Sequence, residues 1–332
     1  MPSFQRILVA VKDLGARSNP AVLKAAQLAR ACGAEIELFH GLTTPVYADL
    51  YAMTGTKGLA GVEANIRQNA IRRLDRMADR LRQHSLKVSV AAEWDYPGFE
   101  AIIRRAQRVK ADLIVVTRHA GRHTTPWLLR LTDWELVRLS PVPVLLVKNP
   151  HPYRHPAVLV AVDPTHAYAK PLRLDNDLLN YGQYLSEKTR GTLHAVHAYA
   201  RVPLAAIQQE GMSPEVLQDI ERDALRSAQT SFRDILADVS ISPARRYLIG
   251  QHPIDAIASA ARKSRSAIVV MGAISRSGFK NLLIGNTAER ILDELKCDIL
   301  VVKPSTFPNR VRRSMRGPRL LLSSAMGSLG YY

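Results

Sequence analysis

The chain has 332 residues, of which 47% are hydrophobic, and it carries a formal net charge of +17. This length exceeds that of one typical domain and suits two domains of about 150 residues each. Only Cys32 and Cys297 are present, which excludes a disulfide framework and a cysteine metal site and favours the reducing cytoplasm. Neither a signal peptide nor an apolar run of roughly 18 residues occurs, so we expect no transmembrane segment.

The positive charge is unevenly distributed along the chain. Residues 1–150 carry +9, residues 151–303 carry +3, and the remainder, with five arginines and no acid, carries +5. A basic surface attracts nucleic acid and anionic surfaces without sequence specificity. We interpret the excess as a solvated basic face, and we keep binding of nucleic acid through this face as an alternative.

The first half of the chain alternates between strand and helix patterns. Arg6 to Val11 is an apolar run typical of a strand buried on both faces of a parallel sheet. A helix is predicted from Asn19, with Pro20 in its first turn, to Gly33. The other predicted strands are residues 35–40, 88–92, 113–116 and 143–147, and the other predicted helices are residues 62–84 and 97–109, with a loop at 41–60. This alternation predicts a parallel sheet covered by helices on both faces.

The second half repeats the order of the first. Ala157 to Asp163 restates Arg6 to Lys12 at an offset of 151 residues. Met271 to Lys303 lies over Val116 to Lys148 at an offset of 155 residues, without a gap. An internal duplication of this kind predicts that the same fold occurs twice.

Two domains and a tail follow from the duplication. We place the first domain in residues 1–150 and the second in residues 156–304, joined by a short linker that contains three prolines. Residues 305–332 have no acid and no clear periodicity, so we expect a basic, disordered tail. An arm that binds nucleic acid or a membrane surface is the functional alternative for this tail.

A glycine-bearing loop in the second half is the strongest candidate site. A predicted strand ends at Met271-Gly272, and a predicted helix opens at Gly285-Asn286-Thr287. Glycine permits positive φ and close approach by a ligand, and the free N–H groups at the start of a helix attract anions. The segment therefore predicts a phosphate cradle without the G-x-x-x-x-G-K-[ST] motif of a P-loop. The alternative is that the glycines serve only as turn residues.

The loop resembles that of the nucleotide-binding universal stress proteins, which carry G-x2-G-x9-G-[ST] between the fourth strand and the last helix. Gly272 and Gly285 match at this spacing, whereas Ser275 replaces the second glycine and Asn286 replaces Ser or Thr. The run GNTAERILDELKCDILVVKP is most similar to the tandem-domain subfamily E of that family. The resemblance implies an α/β fold with two tandem domains, each a five-stranded parallel sheet in the order 3-2-1-4-5 with helices on both faces.

The resemblance also implies a nucleotide site in the second domain. In the family, residues at the ends of the first two strands contact the adenosine, which carries over to Asp163 and Ala198, and the glycine loop contacts the phosphates. The implied nucleotide-binding residues are Asp163, Ala198, Met271, Gly272, Ser275, Gly278, Gly285, Asn286 and Thr287.

The first half lacks the features of this loop. Thr117 replaces Gly272, and Arg130 and Leu131 replace Gly285 and Asn286. Thr132-Asp133 indicates a new helix start instead. We therefore predict that the first domain keeps the fold and has lost the nucleotide loop.

We predict a cytoplasmic stress-response protein that binds ATP or another adenine nucleotide, with Mg²⁺ accompanying ATP, as a regulatory module. No catalytic residues, no metal site and no covalent cofactor are predicted, because the chain has no H-E-x-x-H, no G-x-S-x-G and no Cys/His motif; weak ATP hydrolysis stays open.

One alternative is a carrier of an apolar or lipid-like ligand, since Ser275 and Asn286 weaken the phosphate motif. Another is a scaffold that binds nucleic acid through basic surfaces. A second copy of the chain and regulatory proteins of unidentified kind are the partners left open.

Overall fold

The computed structural model describes residues 2–44, 46–118, 127–165, 173–199, 214–272, 292 and 294–321. The chain divides into two compact units. We call Phe4–Val142 together with Asn309–Tyr332 the first unit, and Met1–Ser3 together with Pro143–Pro308 the second unit. Each unit therefore contains most of one sequence repeat.

In the first unit, strands and helices alternate along the chain. Its strands are β1 (Arg6–Ala10), β2 (Glu35–Leu42), β3 (Val46–Tyr47), β4 (Val88–Trp94), β5 (Leu113–Thr117) and, near the end of the chain, β12 (Leu320–Leu321). Its helices are α1 (Pro20–Cys32), α2 (Ala48–Arg82), α3 (Gly98–Arg108) and α4 (Trp127–Leu139). β4, β2, β1 and β5 form a parallel sheet in this order, and β12 pairs in parallel with β3.

The second unit has the same alternation. Its strands are β6 (Val144–Val147), β7 (Ala157–Val162), β8 (Thr192–Ala198), β9 (Arg246–Ile249), β10 (Ile268–Gly272) and β11 (Asp298–Val302). Its helices are α5 (Leu174–Lys188), α6 (Pro214–Ile235) and α7 (Pro253–Lys263), with a short 3₁₀ helix at Pro243–Arg245. β9, β8, β7, β10 and β11 are parallel in this order, and β6 pairs antiparallel with β11.

The predicted strand order is confirmed. In the second unit the strands follow the order third, second, first, fourth and fifth, and in the first unit β4, β2, β1 and β5 follow the order third, second, first and fourth. The fifth strand of the first repeat, β6, belongs to the second unit, because its residues pair with Val301, Leu300 and Ile299 of β11. The sheet of the second unit is therefore mixed. The first unit ends at Val142 and the second begins at Pro143, ahead of the predicted boundary at residue 150.

Two local signals in the sequence predict the structure well. Ile7, Leu8 and Val9 of β1 are fully buried, as expected for a central strand covered on both faces. At the start of α1 the Asn19 side chain accepts a hydrogen bond from the Val22 N–H, and at its end Gly33 has φ +73° in the left-handed region. The helix therefore begins and ends where the capping residues predict.

Helix α2 begins earlier than predicted. The sequence favours a loop over residues 41–60 because of its Thr and Gly content, but the backbone is helical from Ala48 onward. A glycine inside a helix costs only about 1 kcal/mol relative to alanine, so it weakens a helix without forbidding it. The segment contains no proline after Pro45, and proline is the residue that would have ended the helix.

The prediction of a disordered tail is corrected for residues 309–319, which have defined contacts with the first unit. Val311 is buried, and Arg316 contacts the carboxylates of Asp95 and Glu100. The prediction failed because these partners lie more than 200 residues away in sequence, where no local pattern reveals them. Residues 322–332 lie outside the described part of the chain.

A helix that crosses a membrane needs about 20 consecutive, mostly apolar residues. Among the residues described above, none forms a helix that is both long and apolar enough to cross a membrane.

Candidate functional site

The carboxyl ends of three parallel strands meet at one edge of the second unit's sheet. β7 pairs with β8 on one side and with β10 on the other. Strand order changes direction between β7 and β10, and ligands of open α/β sheets bind beyond such a switch point. The residues at these ends are Asp163, directly after β7, Ala198 of β8, and Met271 and Gly272 of β10. The structure thus brings four of the predicted site residues to one edge.

Asp163 is a buried polar residue at this edge. Its backbone N–H donates a hydrogen bond to Asp175 Oδ1 at 3.1 Å, and its Oδ1 accepts one from the Thr165 hydroxyl at 3.1 Å. Its second oxygen, Oδ2, is buried and has no hydrogen-bond partner within the described part of the chain. A buried acceptor without a partner costs about 1–3 kcal/mol. Asp163 therefore presents an oxygen that is ready to accept a hydrogen bond from a ligand.

Asp175 positions Asp163 and was not found by sequence reasoning. It lies in the first turn of α5, where a carboxylate interacts favourably with the helix dipole, and it is almost fully buried. Because its Oδ1 accepts the Asp163 N–H, it fixes the main chain at the end of β7. No motif marks this residue, since the contact joins a strand end to a helix start through a segment that includes residues 166–172, outside the described residues.

A buried histidine next to Ala198 also escaped the sequence reasoning. His197 Nδ1 lies 3.3 Å from the Val162 carbonyl, and its ring lies against that of Phe232. In the first unit, His40 Nδ1 lies 2.7 Å from the Val11 carbonyl. Comparison of the repeats could have found this pair, because each histidine lies near the end of its second strand.

Gly272 has a packing role that the sequence does not show. A Cβ atom built at this position would lie 2.7 Å from Leu174 Cδ2. Leu174 is fully buried at the start of α5, so the glycine allows α5 to pack against the end of β10. The φ angle of Gly272 lies outside the left-handed region, unlike that of Gly33. The backbone conformation at this position therefore does not require glycine. Ser275, Gly278, Gly285, Asn286 and Thr287 lie outside the described residues.

The equivalent edge of the first unit is occupied by its own side chains. Lys12, at the position of Asp163, forms an ion pair with Asp133 of α4, and both side chains are largely buried. Thr117, at the position of Gly272, donates to Asn19 Oδ1 at 3.2 Å and accepts from the Ala21 N–H at 3.1 Å. These pairs satisfy the polar groups that a ligand would otherwise contact.

Helix α4 differs from its prediction in a way that matters for this edge. The sequence indicates a helix start at Thr132-Asp133, but α4 already begins at Trp127. Asp133 is therefore an interior residue of the helix, and its carboxylate faces Lys12. Next to it, the Arg118 guanidinium lies over the Trp134 ring, 4.9 Å from the ring centre.

Metal binding requires a cluster of ligating side chains, and thiol chemistry requires a cysteine that ionises readily. No cluster of three His, Cys, Asp or Glu side chains with metal-binding geometry occurs within the described ranges. Burial raises the pKa of the Cys297 thiol to about 11, so this thiol is protonated at neutral pH and unsuited to nucleophilic attack.

Comparison with known proteins relates both halves of the chain to one family. The model of the universal stress protein family matches twice, at residues 3–148 and 157–303. Universal stress protein E of Escherichia coli K12 is 29% identical over 318 residues, which cover 94% of this chain and 98% of that protein. Universal stress protein E of Salmonella typhi is 29% identical over 319 residues, with the same coverage.

Two solved structures share the fold at low sequence identity. The putative universal stress protein of Pseudomonas aeruginosa UCBPP-PA14 aligns with a TM-score of 0.67 and 22% identity, over 92% of this chain and 95% of that one. A universal stress protein of Archaeoglobus fulgidus aligns with a TM-score of 0.55 and 16% identity, over 90% of this chain and 98% of that one.

Proposed function

Because the chain belongs to the universal stress protein family, we propose that it is a stress-response protein whose second unit binds one adenine nucleotide and that it acts by regulation with little or no turnover. The observation that carries this proposal is the buried Oδ2 atom of Asp163, which has no partner among the described residues. The atom lies at the switch point of the sheet, where ligands of this fold class bind. A cytoplasmic location is part of the proposal and rests on the cysteine content.

The chemistry of this oxygen favours a ligand with hydrogen-bond donors. A carboxylate accepts hydrogen bonds and donates none, so its natural partner is an N–H or O–H group. An adenine base offers an amino group and a ribose offers hydroxyls. An apolar or lipid-like ligand would leave the Asp163 oxygen buried and unpaired, at a cost of about 1–3 kcal/mol. The site is therefore better suited to a nucleoside than to a hydrocarbon.

The proposed nucleotide extends from Asp163 past Met271 and Gly272 toward the loop that follows β10. Gly285, Asn286 and Thr287 remain the residues proposed for the phosphates, through their backbone N–H groups. Mg²⁺ would arrive with ATP and neutralise part of the phosphate charge. Asp175 would keep Asp163 in place, because it accepts a hydrogen bond from the Asp163 backbone N–H and leaves the Asp163 side chain available to the ligand.

Calorimetric titration of the full chain with ATP tests this proposal. Asp163→Ala should weaken binding by about tenfold or more, because a hydrogen bond to a charged group contributes about 1.5–3 kcal/mol. Asp238→Ala is the matched control, since it removes the same charge from an exposed position of the same unit. Equal affinities of the Asp163→Ala chain and the unchanged chain would refute the assignment of Asp163. If the unchanged chain takes up no adenine nucleotide but releases an apolar ligand on native mass spectrometry, the alternative ligand class is correct.

A further inference from the structure

A segment near the end of the chain contacts the first unit through several different groups. We call residues 309–319 the tail segment. The Asn309 side-chain amide donates to Gln107 Oε1 at 2.9 Å, and the Arg312 carbonyl accepts a hydrogen bond from Arg104 Nη1 at 3.3 Å. Val311 between them is buried. Apolar, amide and main-chain contacts therefore all contribute to this packing.

The main contact of the tail segment is made by Arg316. Its backbone N–H donates to Asp95 Oδ1 at 3.0 Å, and its Nη2 lies 3.0 Å from both carboxylate oxygens of Glu100. Its guanidinium also lies over the Tyr96 ring, 5.7 Å from the ring centre. We call Asp95, Tyr96 and Glu100 the acidic notch. The acidic notch thus contacts one arginine in three ways: through its guanidinium charge, through the planar face of the guanidinium and through its backbone N–H.

The buried charges beneath the notch balance only when Arg316 is present. Arg104 donates to Asp95 Oδ2 and Oδ1 at 2.6 and 2.8 Å and to Glu100 Oε2 at 2.8 Å. The side chains of Arg104 and Asp95 are each 1% exposed, and that of Glu100 is 15% exposed. Two carboxylates and one guanidinium leave one negative charge uncompensated, and removing such a charge from water without a partner is costly. Arg316 supplies the missing positive charge.

The second unit has no counterpart of this notch. The repeats align at Pro97 and Pro253, so that Gln251, Ala256 and Ala260 replace Asp95, Glu100 and Arg104. Ala256 and Ala260 are buried small residues without charge. The notch is therefore a feature of the first repeat alone, and the repeated fold does not require it.

We propose that the acidic notch of the first unit is a recognition site for an arginine-bearing basic segment, and that the tail segment of this chain is its ligand, with Arg316 as the anchor. Recognition depends on the ion pairs with Asp95 and Glu100 and on the ring of Tyr96. Because Arg316 and its Glu100 partner are partly exposed, salt weakens the contact.

Hydrogen exchange on the full chain tests the anchor. In the Arg316→Ala chain the tail segment should exchange about tenfold faster or more, the order expected for losing charge-assisted hydrogen bonds. Arg313→Ala is the matched control, because Arg313 is an exposed arginine of the same segment. It should exchange at the rate of the unchanged chain. Equal exchange in the two variants would overturn the assignment of Arg316 as the anchor.

A peptide added in trans tests recognition separately from tethering. Arg316→Glu places a negative charge against Glu100 and frees the notch of the chain's own segment. A labelled peptide of residues 309–319 should then bind this chain in a fluorescence anisotropy titration, and its affinity should fall as salt rises. The same peptide with Arg316→Ala should bind at least about tenfold more weakly. Failure of the unchanged peptide to bind, or equal binding of both peptides, would overturn the proposal.

Discussion

His40 shows how burial sets the protonation of a single side chain in this protein. Its Nδ1 lies 2.7 Å from the Val11 carbonyl, which requires that this nitrogen carries the hydrogen. Burial lowers the pKa of His40 below its ordinary value of 6.5, and the weaker effects of Val11 and Asp13, which raise it, do not cancel that shift. The imidazole is therefore neutral at neutral pH. Protonation would place a positive charge in a buried environment, which is unfavourable.

The unfolding free energy of the chain should fall as the pH drops below about 6.5, where unfolded histidine takes up protons. The sign follows because the unfolded state binds more protons than the folded state in this range. His40→Gln keeps an N–H donor but does not titrate, so its pH dependence should be shallower. Burial also lowers the pKa of His194. In the His40→Gln chain the unfolding free energy should therefore still rise with pH, though less steeply.

Urea denaturation at pH 7.5 and 5.5 measures this slope. His84→Gln, which replaces a histidine at an exposed position of the same unit, is the control variant. A His40→Gln chain that loses as much stability on acidification as the unchanged chain would show that His40 does not contribute to the slope.

At the scale of secondary-structure elements, one aspartate connects the linker to the sheet of the second unit. Asp298, the first residue of β11, is fully buried. Its Oδ1 accepts from the Lys148 and Asn149 N–H groups at 2.8 and 2.9 Å, and its Oδ2 accepts from the Tyr153 hydroxyl at 2.7 Å. Burial raises the pKa of Tyr153 well above its ordinary value, so the hydroxyl remains a donor.

Replacing Asp298 should destabilise the second unit strongly. Asp298→Ala removes the acceptor of three hydrogen bonds in a largely buried site and should cost about 3 kcal/mol or more of unfolding free energy. Tyr153→Phe removes one donor and leaves the carboxylate two, so it should cost about 1–2 kcal/mol. Chemical denaturation measures both values, and the exposed Asp238→Ala should stay within about 0.5 kcal/mol of the unchanged chain. Similar losses for Asp298→Ala and Asp238→Ala would contradict this role.

The sequence predicts elements where local signals decide the structure. The parallel α/β class follows from the alternation of strand and helix patterns, and α1 follows from Asn19 and Gly33, because caps and hydrophobic periodicity act over a few residues. The strand order came from the family resemblance. The early start of α2 and the docking of the tail segment were missed for a different reason. A helix tolerates glycine residues when tertiary contacts stabilise the helix. Arg316 and Asp95 form a hydrogen bond although 221 positions separate them in sequence.

The same distinction explains the candidate site. Asp163, Ala198, Met271 and Gly272 could be placed at one edge from the resemblance and the strand order. Sequence reasoning could not reveal that Asp163 Oδ2 is buried without a described partner or that Asp175 positions the strand end, because both depend on packing between β7 and α5. It also did not reveal that a side chain at Gly272 would meet Leu174, which gives this glycine a packing role beside the proposed one in ligand approach.

At the scale of the whole molecule, the two repeats share a strand order and differ at the edge where ligands bind. The first unit has the Lys12–Asp133 pair at the position where the second has the buried Asp163. The two copies of one fold therefore differ in chemistry: the first has a Lys12–Asp133 ion pair at this edge and carries the acidic notch, and the second has the buried carboxylate of Asp163 at the proposed nucleotide site.

We therefore expect at most one nucleotide per chain. Titration with ATP should give a stoichiometry close to one, and Gly285→Val should abolish binding because its side chain would block phosphate from the backbone N–H groups. Arg130→Ala, at the equivalent position of the first repeat, is the matched control and should bind normally. Two sites per chain, or a Gly285→Val chain with unchanged affinity, would place the ligand elsewhere.

The location of β6 bears on how this protein can be divided for study. A fragment cut at the linker, beginning at residue 151, would lack Val144–Val147 and the two N–H donors that Asp298 requires. The buried, apolar β11 would then present a row of unpaired backbone groups, which is a template for pairing with other chains. Such a fragment should aggregate during expression. A fragment of residues 143–308 retains the pairing of β6 with β11 and the N–H groups that Asp298 accepts, so the better boundary for dividing the chain lies before β6, within what sequence comparison assigns to the first repeat.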